Sequence, residues 1–250
     1  MREHKLRSIA AIISMNAFLP MRRQPLFLIN TLASPFSFLF FLAVVGRPGA
    51  LIYGVAGGLV LTVLSVGSSL QSDLTHYKAD LKYQEMAVAS PVKASTYVTG
   101  MALSEFVFAI PGMAVFAVLS VIYGHYIFLG GLVIFATLIL LWVFASALGF
   151  TLATYLADVR ETFMISPLIS IFLSVVPPVY YPLESLARIS PYLVWLAYAA
   201  PTTWAAQLVQ GALGIIPLSL FQGLEDAGVL LAAAAILFFI AATKAKWRET

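Results

Sequence analysis

Cysteine is absent and charge is scarce, with 14 basic and 11 acidic residues in a chain of 250. The lack of cysteine excludes a disulfide scaffold and any thiolate nucleophile or thiolate metal site. The dipeptide Gly-Lys occurs nowhere, so the chain holds no G-x-x-x-x-G-K-[ST] phosphate-binding loop. His4, His76 and His125 stand far apart and no H-E-x-x-H occurs, which leaves a metal site without ligands and an intramembrane enzyme without a nucleophile–base pair. Ser90 and Lys93 match the S-x-x-K of penicillin-binding enzymes, but neither S-D-N nor K-T-G follows, and the match is chance. The few basic residues are spread along the chain instead of forming one face, so nucleic acid is not a partner.

What is present is apolar. Hydrophobic residues make up 61% of the chain and charged residues 10%, against about 45–50% and 25% in soluble domains. Uncharged runs cover 24–46, 48–72, 106–157, 162–183, 189–224 and 227–243, and several exceed the roughly 18 residues that mark a membrane span. They are apolar on every face, which fits buried helices and not the alternating strands of a β-barrel. The fold class expected is an all-α polytopic membrane protein forming a single transmembrane domain over 1–250.

Six spans are expected near 26–46, 50–72, 96–123, 131–155, 162–182 and 226–243. Residues 1–25 have basic residues at both ends of a short apolar core, too short to cross, and read as an interfacial helix. With both termini cytoplasmic, twelve basic residues fall inside, and only Arg47 and Arg188 fall outside. The uncharged stretch 189–224 is long enough for a further span, yet one more crossing would put Lys244, Lys246 and Arg248 outside. Pro191, Pro201 and Pro217 also interrupt it, so 183–217 reads as short helices that enter the outer leaflet and return. Two full crossings are the alternative that parity permits. The two halves share no motif or spacing, so an inverted-repeat carrier gains no support.

One segment breaks the apolar rule. Residues 73–93, DLTHYKADLKYQEMAVASPVK, carry six of the 25 charged residues in the largest cytoplasmic loop. From Asp73 as N-cap, Leu74, Tyr77, Leu81 and Val88 recur at helical spacing, with Lys78, Asp80, Lys82 and Glu85 on other faces. Lys82 and Glu85 can pair at i,i+3, and Ser90-Pro91 stops the helix. A short amphipathic surface helix follows, which is either a solvated turn or a docking element.

Three regions resemble one family. RRQPLFLINTLASPFSFLFFLAVVG (22–46) is similar to the start of type 2 ABC exporter permeases, with a basic pair, a proline and a Phe-rich first span. DLTHYKADLKYQEMAVASPVKASTYVTGMALSE (73–105) resembles that family's first cytoplasmic loop and the opening of its third span. SVVPPVYYPLESLARISPYLVWLAYAAPTTW (174–204) resembles its proline- and aromatic-rich outer turn, a small extracellular helix and a second Pro-Thr segment. The family often has Asn before the proline at 201 and Arg downstream, where this chain has Ala200, Gln207 and Gln210.

The resemblance implies a multi-pass exporter subunit in a prokaryotic plasma membrane. It would work as two permease copies, or with a related permease, driven by two copies of a nucleotide-binding subunit that holds ATP and Mg. In such exporters the loop helix seats in a cleft of the ATPase. The residues assigned to that coupling are Asp73, Leu74, Tyr77, Lys78, Asp80, Leu81, Lys82 and Glu85. An apolar or amphipathic substrate would leave past Pro177, Pro178, Tyr180 and Tyr181. The chain itself would need no cofactor or metal.

Glu105 is the one ionisable residue expected inside a span, where a carboxylate costs about 2.5–3.5 kcal/mol, so it should face a cavity or partner. It is either a packing residue or part of a substrate path. With no second buried charge expected beside it, a proton relay has no members, although an ATP-independent channel or carrier using Glu105 stays open as the alternative function. Gly54, Gly58, Ser65, Gly67, Ser68 and Ser69 give the second span a small-residue flank, a sign of close helix packing.

Overall fold

The computed structural model describes residues 2–23, 26–46, 49–79, 94–156 and 159–244, and among them the chain is all-helical with no strand. The helices are α1 (Arg2–Ile13), continued by a π-helical turn (Ser14–Phe18) into α2 (Leu19–Arg23); α3 (Leu26–Val45); α4 (Ala50–Ala79); α5 (Ala94–Tyr123); α6 (Gly130–Tyr155); α7 (Val159–Val175); α8 (Leu183–Ile189); α9 (Pro191–Tyr198); α10 (Pro201–Ala212); and α11 (Leu220–Lys244). Helices dominate because a chain this apolar must satisfy its backbone hydrogen bonds within each segment. Four of them, α4, α5, α6 and α11, contain windows long and apolar enough to cross a membrane. The other two expected spans are α3, with 20 residues, and α7, with 17.

The centre of the molecule is α4. It packs against α3, α5, α6, α7 and α10, and 72% of its apolar window is buried, against 17% for α11 at the periphery. Small residues let neighbours close in on it from several sides. A Cβ on Gly67 would strike the Ala145 carbonyl of α6, and one on Gly149 of α6 would strike the Gly67 carbonyl. Gly54 faces Leu39 and Leu42 of α3, both 3.0 Å from where its Cβ would lie, and Gly58 faces the Phe116 ring of α5. The main core follows from this contact, with Leu59, Val63, Phe116, Leu141, Leu213 and Leu230 all buried. These glycines serve helix packing, as their sequence pattern suggests, but each serves a different neighbour.

Helix α1 and the π-helical turn lie along α5. Ile12 sits where a Cβ on Gly100 would fall, and a second apolar cluster joins Ile12, Leu70, Tyr97, Met101 and Ala102. The three short helices α8, α9 and α10 owe their breaks to proline. Pro191 and Pro201 occupy the first turns of α9 and α10, where a missing N–H costs nothing. Ser190 caps α9 by accepting the Tyr192 N–H. At the far end of α10, Gly214 takes a left-handed φ of 69° against the His125 carbonyl, a position no side chain could share. There the link between α5 and α6 is hydrogen-bonded to α10, through His125 N–H to the Leu213 carbonyl (3.0 Å) and Ile127 N–H to the Ala212 carbonyl (3.2 Å).

Three boundaries differ from the sequence expectation. The second span does not stop at 72, because α4 continues unbroken to Ala79, so Asp73 is a helix-interior residue and not an N-cap. The fifth helix ends at Val175, because Pro177 and Pro178 follow and cannot extend it. The sixth begins at Leu220 instead of 226, which draws Glu225 into the helix and moves Asp226 from its first position to its seventh.

Candidate functional site

Those of the residues singled out from sequence that lie among the described residues fall at two places beside α4. At one, the Asp73 carboxyl of α4 meets the Glu105 carboxyl of α5 in a side-chain hydrogen bond. Two carboxyls can bond in this way only if one carries a proton to donate. Glu105 is buried at 4% exposure, and its Oε1 has no hydrogen-bond partner among the described residues. His76, three residues along α4, is within electrostatic reach of Asp73. This corrects the expectation that Glu105 has no acidic companion, since a continuous α4 turns Asp73 toward it.

Other contacts tie this end of α4 to its neighbours. Thr162 of α7 donates to the Thr75 hydroxyl at 3.3 Å, and Thr75 in turn donates to the Gln71 carbonyl at 2.9 Å. Leu74 packs against the cluster around Ile12 and Tyr97 instead of standing free on a surface helix. Tyr77 and Lys78 belong to α4, but the description of side chains stops short of them. Asp80, Leu81, Lys82 and Glu85 lie outside the described residues.

The second place is the turn 176–182 between α7 and α8. Pro177, Pro178, Val179 and Tyr180 are buried in it, and Tyr181 is half-buried. Gln210 of α10 donates from Nε2 to the Pro178 carbonyl at 2.7 Å. Tyr181 donates its hydroxyl to the carbonyls of Val175 and Val176 at 2.7 and 2.8 Å, and Thr202 donates to the Leu173 carbonyl at 2.7 Å. The Leu173 and Pro178 carbonyls need outside donors because Pro177 and Pro182, four residues on, have no N–H, and those of Val175 and Val176 are left open because the helix ends there.

The Tyr180 ring links this turn back to α4. It stacks on Phe38 of α3 at 4.7 Å and an angle of 14°. Its other contact is Gly57 of α4, where a Cβ would fall into the ring and lie 2.8 Å from the Val179 carbonyl. Gly57 and Asp73 are sixteen residues apart on one unbroken helix, about 24 Å at 1.5 Å per residue.

Sequence reasoning passed over Gly57 and noted Gln210 only as a departure from the family pattern, without a role. A glutamine within the small, apolar run of α10 was a usable signal, because a buried amide must find a backbone partner. Gly57 carried no such mark beside Gly54 and Gly58.

The arrangement is that of a helical bundle packed around its central helix. Residues 10–214 match the family model described as ABC-2 type transporter. The chain belongs to the ABC-2 type transporter family. This ABC-2 protein is therefore a multi-pass transport permease of the membrane, of a kind that typically pairs with an ATP-binding subunit and is generally not itself catalytic. None of the curated proteins compared with it matches. The family match ends at Gly214, so α11 of this permease lies beyond it.

Proposed function

We propose that the chain is the membrane half of an exporter, working as a pair of permeases and moved by two ATP-hydrolysing subunits that hold ATP and Mg. It has six spans with both termini in the cytoplasm of a prokaryotic cell, 1–25 on the inner surface, and 183–217 dipping into the outer leaflet. The loop 73–93 seats on the ATPase, with Lys82 and Glu85 fixing register. The turn 177–181 closes the outer end of the path and opens to release an apolar or amphipathic substrate.

One observation carries this reading, the unbroken helix α4. Its inner end leads into the charged loop, and Gly57 near its outer end touches the Tyr180 ring of the turn. A helix packed on all sides moves as a body, because interiors are close-packed and transmit displacement. A push on residues 73–79 then reaches the turn without any intermediate carrier.

The test is to purify the chain with whichever Walker-type ATPase co-purifies with it and measure nucleotide-driven efflux from proteoliposomes. Charge reversal at Lys82 and Glu85 should release the ATPase while membrane insertion is unchanged. Retained association and efflux in that variant would overturn the docking assignment.

The Asp73–Glu105 pair favours a second reading, an ATP-independent carrier that moves a proton. Solute flux through the chain alone, with no ATPase present, would select it.

A further inference from the structure

A cleft of about 400 Å³ lies between α9, the first two turns of α10, the connection that follows α10 and the start of α11. That is within the usual range for a small-molecule pocket. Trp195, Tyr198 and Trp204 form its aromatic walls, and Gln207, Glu225 and Asp226 are among its polar lining. It is separate from the turn 176–182, and its acidic side comes from α11, beyond the family match.

Asp226 calls for an explanation. Its residue is 5% exposed, and no hydrogen-bond donor or cation is set against it among the described residues; Glu225, the group next to it, has the same sign. A helix N-terminus does not account for it either, since Asp226 is the seventh residue of α11 and the dipole acts only over the first turn. An acidic group in a membrane helix with no partner points to a ligand.

The walls say which ligand. The Trp204 indole N–H is already spent on the Tyr198 carbonyl at 3.0 Å, and the two rings lie 5.0 Å apart at 46°. Gln207 reaches the Tyr198 hydroxyl at 3.5 Å. What Trp204 offers the cleft is therefore π-surface, not a donor. Aromatic faces together with carboxylates attract a soft, weakly hydrated cation. An anion is repelled by Glu225 and Asp226. An inorganic ion would need more oxygen ligands, and no group of three or more acidic or histidine side chains occurs among the described residues.

We propose that this cleft binds an organic ammonium ion, its charge against Asp226 and its alkyl groups against Trp195, Tyr198 and Trp204. The ammonium belongs either to a choline-type lipid headgroup or to a free amine. The binding requires no ATPase and stands whether or not the export reading holds.

The experiment uses the full chain in nonionic detergent and follows tryptophan fluorescence, since two of its four tryptophans line the cleft. Choline is the probe, and the control is its neutral isostere with tert-butyl in place of trimethylammonium. Saturable quenching by choline is expected, with none by the isostere, and Asp226→Asn should weaken it by about tenfold or more. Should Asp226→Asn fail to fold, Trp195→Leu, at a residue 77% exposed, takes its place and should weaken binding likewise. Repeating the titration in nanodiscs separates the sources. If a lipid headgroup is the occupant, phosphatidylcholine discs compete with choline and phosphatidylglycerol discs do not; equal binding in both assigns a free amine. Equal quenching by the isostere, undiminished binding in a folded variant, or no saturable quenching in phosphatidylglycerol discs would overturn the proposal.

Discussion

The two places where α4 meets its neighbours' polar groups are built on opposite principles. Around Gly57 the contact is steric and the hydrogen bonds are neutral, donated by Gln210, Thr202 and Tyr181 to carbonyls that the prolines and the helix end left open. Around Asp73 the contact is a side-chain hydrogen bond between two acids, with one oxygen of Glu105 buried and unpartnered among the described residues. The first kind of contact has a single good geometry. The second depends on the charge state and surroundings of its members.

The largest expected effect comes from breaking the steric contact. Gly57→Leu drives a side chain into the Tyr180 ring, at an overpacking cost of about 1–3 kcal/mol. ATP-driven transport in proteoliposomes should fall about tenfold or more, while co-purification of the ATPase is unchanged. Normal transport would mean that the Tyr180 contact does not bear on the path.

Next is the brace on the turn. Gln210→Leu leaves the Pro178 carbonyl buried without its donor, a loss of about 1–3 kcal/mol that thermal unfolding in detergent would register. Tyr181→Phe removes the donor to two carbonyls beside a half-exposed ring, and should cost about 1 kcal/mol in the same assay.

The smallest effect sharpens the contrast. A double-mutant cycle of Asp73→Asn and Glu105→Gln should give a coupling of about 0.5–1 kcal/mol, because amides can rebuild part of the contact. A cycle of Gly57→Ala with Gln210→Leu, which touch the turn at different points, should be closer to additive. Zero coupling between the two acids would remove the inner contact from the account.

Much of this was legible in the sequence, for reasons that differ by region. Lipid requires helices apolar on all faces, so the expected spans begin within a few residues of the starts of α3, α5 and α6. Prolines set the starts of α9 and α10 by the same logic that made 183–217 read as short pieces. The inner end of α4 was misread because Ser72-Asp73 after an apolar run has the form of a helix start. Packing against α5 and α7 overrides that local signal and carries the helix on to Ala79. The start of α11 was set too late because a charge was taken as the membrane edge. Asp226 instead lies inside the helix and is buried by the short helices beside it, a contact between segments distant in sequence that no local pattern records.

The central claim is that α4 carries movement as one rigid body from the charged loop to the turn. It is tested most directly by a single reporter, Ser185→Cys, in this cysteine-free chain, with thiol modification rates compared between ATP-bound and ADP-bound complexes. The account expects the rate to change with nucleotide when α4 is intact, and to stop changing when residues 65 and 66 are replaced by two glycines that soften the helix by about 1 kcal/mol each, with ATP hydrolysis retained. An undiminished nucleotide response through the softened helix would contradict it.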